Sequence, residues 1–322
     1  MRLRSLWILL LLVPGCSSAP AVRPTPAALQ EGYVPGAHAV RLFYAFVGAG
    51  PDTVVVLHGG PGLDLDGLRP DLMPLARHHV LLYYDQRGAG RSEMPDTLDL
   101  TADLMVDDLE ALRQAFKLER LTLLGHSWGG GLAILYATRY PERVGRIVLV
   151  GSVPPRGKPY FSQYLANQTA RHDSAENRRM ATLFKTLDSA SEASTVCQEA
   201  FRLFLRGVTA TPEKATAIRG DLCAATPENL RGRSMVLRRV WQSLGTHFPD
   251  FDYDWRPQAM RLSVPTLVVH GTDDPLPIAS AEEWAATLPT ARLVAIPDAG
   301  HYPHAEQSER FFRVVEAFLS GR

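Results

Sequence analysis

The sequence has no excess of charge of either sign. Thirty-four Lys and Arg stand against 34 Asp and Glu in 322 residues. No global field therefore draws the chain to nucleic acid or an anionic surface, and a nucleic-acid partner is set aside. Zinc-type ligand sets are missing too. His78-His79 and the pair His301 and His304 lack the partners and spacing of such a site and read as packing or surface residues. The glycine-rich turns contain neither G-x-G-x-x-G nor a lysine-bearing phosphate loop, so no nucleotide is indicated and no metal or organic cofactor is expected. No internal repeat is visible. The apolar run Leu6 to Val13 is too short to span a bilayer as a mature helix. Cysteine is scarce, with three residues in the chain.

What is present is an ordinary globular composition, 46% hydrophobic and 21% charged, in a chain long enough for one large domain or two smaller ones. The N-terminus is different. Arg2 and Arg4 precede the short apolar run, the pattern of a secretory leader, so export is expected. Val13-Pro14-Gly15-Cys16 resembles a bacterial lipobox, with Cys16 as the lipidated residue; an ordinary cleavage near Ala19 or Ala21 is the alternative. The expected division is residues 1–18 as leader, 19–32 as a Pro- and Ala-rich tether, 33–153 and 263–322 as core, and 154–262 as a helical insertion. With Cys16 acylated, Cys197 and Cys223 form an even pair. A bridge between them would stabilise by about 3 kcal/mol in the chain-entropy model; two buried thiols are the other reading.

The stretch Leu121 to Tyr140, LTLLGHSWGGGLAILYATRY, organises the rest. It reads as a short apolar strand, the turn Gly125-His126-Ser127-Trp128-Gly129, and a helix stopping at Pro141. Small residues two positions either side of the serine let strand reverse into helix without collision. The hydroxyl then projects from a strained turn at a helix N-terminus, where free N–H groups favour developing negative charge.

Other runs alternate in the same way. Strands are expected at Thr53 to Leu57, Val80 to Asp85, Arg146 to Val150, Thr266 to His270 and Arg292 to Ile296, with one or two more in Tyr33 to Val47. Apolar spacing predicts a helix over Thr101 to Phe116 capped by Thr101, another around Ser280 to Ala286, and a last one from about Glu306 to Leu319. Between Pro154 and Leu262 strand-like runs give way to charged helical stretches such as Asn177 to Leu187 and Glu199 to Leu205. The fold class is α/β, a mostly parallel sheet with helices on both faces and a helical cap. Reactive groups in such sheets gather at the carboxyl ends of strands, where each glycine-rich turn falls.

A serine hydroxyl needs a base within hydrogen-bond reach, and the base needs an orienting carboxylate. Both follow later in the chain at strand ends, in Gly271-Thr272-Asp273-Asp274 and Asp298-Ala299-Gly300-His301. The assignment is Ser127 as nucleophile, His301 as general base and then acid, and Asp274 as orienter, with Asp273 the rival acid. The oxyanion is expected to meet the backbone N–H groups of Trp128 and Gly60, the latter in the turn His58-Gly59-Gly60-Pro61-Gly62.

HGGPG at His58 to Gly62, DQRGAGRS at Asp85 to Ser92, GHSWGG at Gly125 to Gly130, GTDD at Gly271 to Asp274 and AGH at Ala299 to His301 resemble the α/β-hydrolase superfamily. The first three together resemble its proline iminopeptidase branch, serine aminopeptidases that remove an N-terminal proline. The resemblance covers about Tyr33 to Val153 and Val264 to Arg322. It implies the same roles for Ser127, Asp274, His301, Gly60 and Trp128, a mainly architectural DQRG segment, and a small peptide substrate. The cap departs from that family, whose tryptophan- and glutamate-containing motif for the substrate ammonium is missing. Its nearest substitute is Thr246 to Pro257, where Phe248, Phe251, Tyr253 and Trp255 interleave with Asp250, Asp252 and Asp254. These could hold a cationic amine; otherwise the acids are solvated and the aromatics pack the cap onto the sheet. An esterase with the same triad is therefore the alternative, and a non-catalytic binding protein a more distant one.

Export with a lipid anchor gives the first test. Growth with radiolabelled palmitate should mark the wild-type protein and leave Cys16→Ala unmarked, whereas an unlabelled wild type would indicate a soluble periplasmic form.

Overall fold

The computed structural model describes residues 29–247 and 250–321. The leader, Cys16 and Phe248 lie outside the described residues. Eight strands form one sheet: β1 (Gln30–Pro35), β2 (Arg41–Val47), β3 (Thr53–Leu57), β4 (Val80–Tyr84), β5 (Leu121–His126), β6 (Val144–Val150), β7 (Thr266–Gly271) and β8 (Ala291–Ile296). Their order is β1-β2-β4-β3-β5-β6-β7-β8. The β1–β2 and β2–β4 pairs are antiparallel and the rest parallel. Central strands are continuous apolar runs because both faces are covered. In β3, Val55 and Leu57 join one core cluster while Val54 and Val56 join the other, as a period of two requires.

The helices are α1 (Arg69–Leu72), α2 (Ala102–Ala115), α3 (Trp128–Arg139), α4 (Tyr160–Ala170), α5 (Ser174–Leu187), α6 (Ala193–Val208), α7 (Pro227–Ser243), α8 (Arg256–Ala259), α9 (Ile278–Thr287), α10 (Pro303–Glu306) and α11 (Ser308–Leu319). Helix α2 starts where Thr101 Oγ1 accepts from the Leu104 N–H, an N-cap at 3.2 Å, and buries Met105, Leu109 and Leu112 at helical spacing. With α3 and α9 it covers one face of the sheet; α11, through Phe311, Phe312, Val315 and Leu319, covers the other.

Helices α4 to α7 form the insertion between β6 and β7. Its base is closed by an isolated antiparallel bridge, Arg156 with Asp254, where the Trp255 N–H donates to the Pro155 carbonyl at 2.8 Å. Cys197 of α6 is joined to Cys223 by a disulfide, so the open question between bridge and free thiols falls to the bridge. Phe251, Tyr253 and Trp255 are buried in the sheet-side core, while Asp250 and Asp252 are 75% and 77% exposed. The aromatics therefore pack the cap down and the acids face water, as an extended segment with alternating sides dictates.

The expected tether at 19–32 ends too late. Gln30, Glu31 and Gly32 pair with Phe46, Ala45 and Tyr44 as the start of β1. This polar edge is held by backbone bonds that its side chains do not announce. The expected last helix, from about Glu306 to Leu319, is α11 at Ser308–Leu319, and the short α10 at Pro303–Glu306 precedes it. At Gln307 the backbone leaves helical geometry, with φ −138° and ψ 53°, and Glu306 turns its carboxylate onto loop N–H groups.

The DQRG segment is a buried brace. Arg87, fully buried, grips Asp108 of α2 with a fork of two bonds at 2.7 and 2.6 Å and donates to the Asp99 carbonyl at 2.8 Å. Asp85 accepts from the Leu65 and Arg91 N–H groups, each at 2.8 Å. Burial nonetheless pushes the Asp85 carboxyl up to about 6, against these bonds.

Candidate active site

Ser127 sits between β5 and α3 with φ 53° and ψ −119°, a left-handed conformation that a non-glycine residue adopts only under constraint. The constraint is close backbone packing. A Cβ on Gly129 would overlap the Leu57 carbonyl oxygen, and one on Gly125 would overlap the Gly129 carbonyl. The Ser127 N–H donates to the Val150 carbonyl at 3.0 Å, tying the turn to β6. Trp128 is the first residue of α3, so its N–H is one of the donors that a helix leaves free.

His301 lies in the loop between β8 and α10, and Asp274 follows β7. His301 Nδ1–H donates to Asp274 Oδ2 at 2.8 Å. Asp274 Oδ1 accepts from the Leu276 N–H at 2.9 Å, which aims the second oxygen at the imidazole. Asp273 is exposed and accepts from the Thr272 hydroxyl instead. Of the two candidate acids, only Asp274 thus reaches the histidine. Burial disfavours the charged form of His301, but the Asp274 carboxylate and its hydrogen bond, with a smaller contribution from Glu306, hold its pKa above the ordinary value. Burial likewise works against the Asp274 carboxylate, and His301 outweighs it, holding its pKa low. With Nδ1 donating, Nε2 keeps its lone pair for a proton from serine. Among the described residues no hydrogen bond joins Ser127 Oγ to His301; catalytic hydrogen bonds often tighten only in the substrate complex.

His126, next to the serine, donates from Nε2 to the His301 carbonyl at 2.9 Å, and the two rings are 4.9 Å apart. This places the histidine loop beside the serine turn. Gly60, with φ +115°, lies in the turn after β3, and its neighbour Gly59 packs on the serine turn, where an added Cβ would lie 3.2 Å from that of Ser127. The structure therefore brings Ser127, His301, Asp274, Gly60 and Trp128 to the carboxyl ends of neighbouring strands.

The cap holds these loops by backbone contacts that the sequence did not signal. The His301 N–H donates to the Val208 carbonyl at 2.8 Å, at the end of α6. Arg171 donates to the Asp273 carbonyl, and Asn167 Nδ2 to the Pro275 carbonyl at 2.9 Å. Arg233 of α7, 6% exposed, donates from Nε to the Gly62 carbonyl at 2.8 Å and faces Asp64 at 3.3 Å. Burial pushes the Asp64 carboxyl up to about 7, against the pull of Arg233. Glu306 accepts from the N–H groups of Gly300, Tyr302 and Ala210, bracketing His301 from both sides.

Sequence reasoning passed over Glu306, Arg233 and Gln86. Only Gln86 had a signal, its place inside a motif. Above the serine turn, Trp241 of α7 lies 5.1 Å from the Trp128 ring, 4.6 Å from Phe251 and 5.7 Å from Phe161. The acids around this aromatic group are engaged elsewhere: Asp250 and Asp252 with Lys158 at 3.0 and 3.6 Å, and Asp254 with Arg256 at 2.6 Å.

Residues 52–206 and 238–308 match the family model for the alpha/beta hydrolase fold. The chain is 29% identical over 314 residues to a proline iminopeptidase of Saccharolobus solfataricus, covering 90% of this chain and 92% of that protein. It is 28% identical over 285 residues to a 2-hydroxy-6-oxononadienedioate/2-hydroxy-6-oxononatrienedioate hydrolase of Paraburkholderia xenovorans, covering 87% and 91%. Among solved structures, a thermophilic esterase from Thermogutta terrifontis superposes with a TM-score of 0.65 at 24% identity, covering 91% of this chain and 98% of that one. That last likeness speaks for the fold.

The geometry at His301 predicts a pH profile. The imidazole must be neutral to accept a proton, so with its pKa raised the acid limb of kcat/KM should lie above the ordinary histidine value of about 6.5. Asp274→Asn should lower kcat about a thousandfold or more, the scale set by loss of the correct tautomer in a serine protease triad. It should also move the limb to lower pH, because burial is then opposed only by the smaller contribution of Glu306. Asp273→Asn should leave both nearly unchanged; the reverse pattern would move the acid by one residue.

Proposed function

This chain belongs to the alpha/beta hydrolase family and is proline iminopeptidase-like, and on that premise we propose that it is a serine hydrolase working through an acyl-enzyme on Ser127. The observation that carries the reading is the Asp274–His301 bond at 2.8 Å beside a serine held at positive φ on a helix N-terminus.

His301 Nε2 takes the Ser127 hydroxyl proton as Oγ bonds to the substrate carbonyl carbon. The carbonyl π pair moves onto oxygen, which the N–H groups of Gly60 and Trp128 receive. The C–O or C–N bond to the leaving group then breaks, and the imidazolium returns the proton to the departing atom. Water, deprotonated in turn by His301, repeats the attack on the acyl-enzyme and regenerates the serine. Asp274 keeps its negative charge throughout and stabilises the imidazolium.

For the substrate, the cap supports a small ester or amide with an uncharged, apolar acyl part. Trp241, Phe161 and Phe251 offer ring faces, while the nearby carboxylates are matched by Lys158 and Arg256. A second reading, a prolyl aminopeptidase that releases N-terminal proline from short peptides, is supported by the HGGPG, DQRGAGRS and GHSWGG motifs and by the Saccharolobus relative. It needs a carboxylate for the substrate ammonium. Asp250 or Asp252 would have to exchange Lys158 for it.

The readings separate on three substrates: a prolyl arylamide with a free amino terminus, its N-acetylated form, and a short-chain aryl ester. The apolar-pocket reading expects ester turnover with no preference for the free amine. A kcat/KM for the free amine at least a hundredfold above that for its acetylated form would overturn it and establish the aminopeptidase.

A further inference from the structure

Two oxyanion donors on different segments must keep a fixed separation, because a displacement of about 1 Å at such a site can cost two orders of magnitude in rate. Here they are the N–H groups of Gly60 and Trp128, and between their loops lies one buried amide. Gln86, immediately after β4 and fully buried, donates from Nε2 to the His58 carbonyl at 2.9 Å. Its Oε1 accepts from the Trp128 indole Nε1–H at 3.0 Å. Its backbone N–H donates to His58 Nε2 at 3.0 Å.

The last bond fixes the His58 tautomer. Nε2 accepts, so the ring proton is on Nδ1, and Nδ1–H donates to the Gly59 carbonyl at 2.9 Å. That carbonyl belongs to the peptide unit whose N–H is that of Gly60. In a trans peptide the C=O and N–H point opposite ways, so holding one end aims the other. Gly60 has φ +115°, and with no Cβ the steric barrier to turning this peptide over is low. A specific bond therefore has to hold it. The opposite tautomer would set N–H against N–H at Gln86 and lone pair against lone pair at Gly59. Burial lowers the His58 pKa to about 4, so the ring stays neutral near neutral pH and the arrangement persists.

We propose that Gln86 and His58 are positioning residues of the oxyanion hole: together they aim the Gly60 N–H and hold it in register with the Trp128 N–H. The proposal rests on the acyl-enzyme reading above. It gives the DQRG segment a second task beside the Arg87 brace, through the one side chain of that segment that touches both oxyanion loops.

The test uses Gln86→Met, which keeps length and apolar volume while removing the amide, and Trp128→Phe, which removes the indole donor together with part of a buried ring. Both are compared with wild type in steady-state kinetics and in binding an aryl trifluoromethyl ketone. That ketone adds Ser127 Oγ at its carbonyl carbon, sends the proton to His301 and leaves an oxyanion where the tetrahedral intermediate has one. In Gln86→Met kcat should fall about ten- to a hundredfold, below the cost of deleting a donor outright. KM and the acid limb should stay in place, and ketone affinity should fall in proportion to kcat/KM. Trp128→Phe should move the same quantities in the same direction by a smaller factor, and it carries the test if Gln86→Met does not fold. Folded variants with wild-type kcat, or with a lower kcat but unchanged ketone affinity, would overturn the proposal. Turnover that survives Ser127→Ala would overturn the acyl-enzyme reading and this inference with it; Ser127-dependent turnover indifferent to Gln86 would overturn the inference alone.

Discussion

The rest of the site depends on one backbone constraint, the left-handed conformation of Ser127. A non-glycine residue in such a region costs about 1–3 kcal/mol and persists only where its surroundings over-determine it. Here β5 is paired on both sides, with β3 and β6, and cannot yield. The glycine face of α3 packs so closely on the end of β3 that Gly129 has no room for a Cβ beside the Leu57 carbonyl. Chain entering as strand and leaving as helix must reverse within one residue, and the residue at the reversal presents its side chain outward. The same reversal puts the Trp128 N–H at a helix start. In the proposed mechanism, nucleophile and oxyanion donor are thus two results of one turn.

Around that turn the cap acts as scaffold as much as cover. The acid loop is tied to α4 through Arg171 and Asn167, the histidine loop to the end of α6 at Val208, and the oxyanion loop to α7 through Arg233. Helix α6 is in turn joined to the segment before α7 by the Cys197–Cys223 disulfide. Arg233 also donates to the Leu222 carbonyl at 2.9 Å, so its contact with Gly62 is held from the same covalent staple. Loops tied in this way lose freedom they would otherwise have, which is how a site keeps its geometry between turnovers.

Much of this was legible in the sequence, for definite reasons. Strands buried on both faces are continuous apolar runs, so β3 to β7 were found where they stand, and the serine turn announces itself because only small residues fit around it. Other features have no such signature. The first residues of β1 are polar and make their contribution through main-chain bonds. Two adjacent aspartates look alike until the Leu276 N–H fixes which one turns toward the imidazole. Cysteine spacing permits a bridge but does not place α6 beside residue 223. The alternation of Phe251, Tyr253 and Trp255 with aspartates was readable as inside and outside; the cations that meet those acids come from elsewhere in the chain, at Lys158, or from Arg256 just beyond them. Gln86 was visible as part of a motif, and its partners, His58 and Trp128, are 28 and 42 residues away.

The central claim is that Ser127 is the nucleophile and His301 its base. Its most direct test is reaction with a fluorophosphonate probe followed by peptide mass mapping. The account predicts one phosphonyl group per chain, on Ser127, at a rate that rises as His301 loses its proton and that collapses in His301→Ala. An adduct on another residue, or labelling of Ser127→Ala at the wild-type rate, would contradict it.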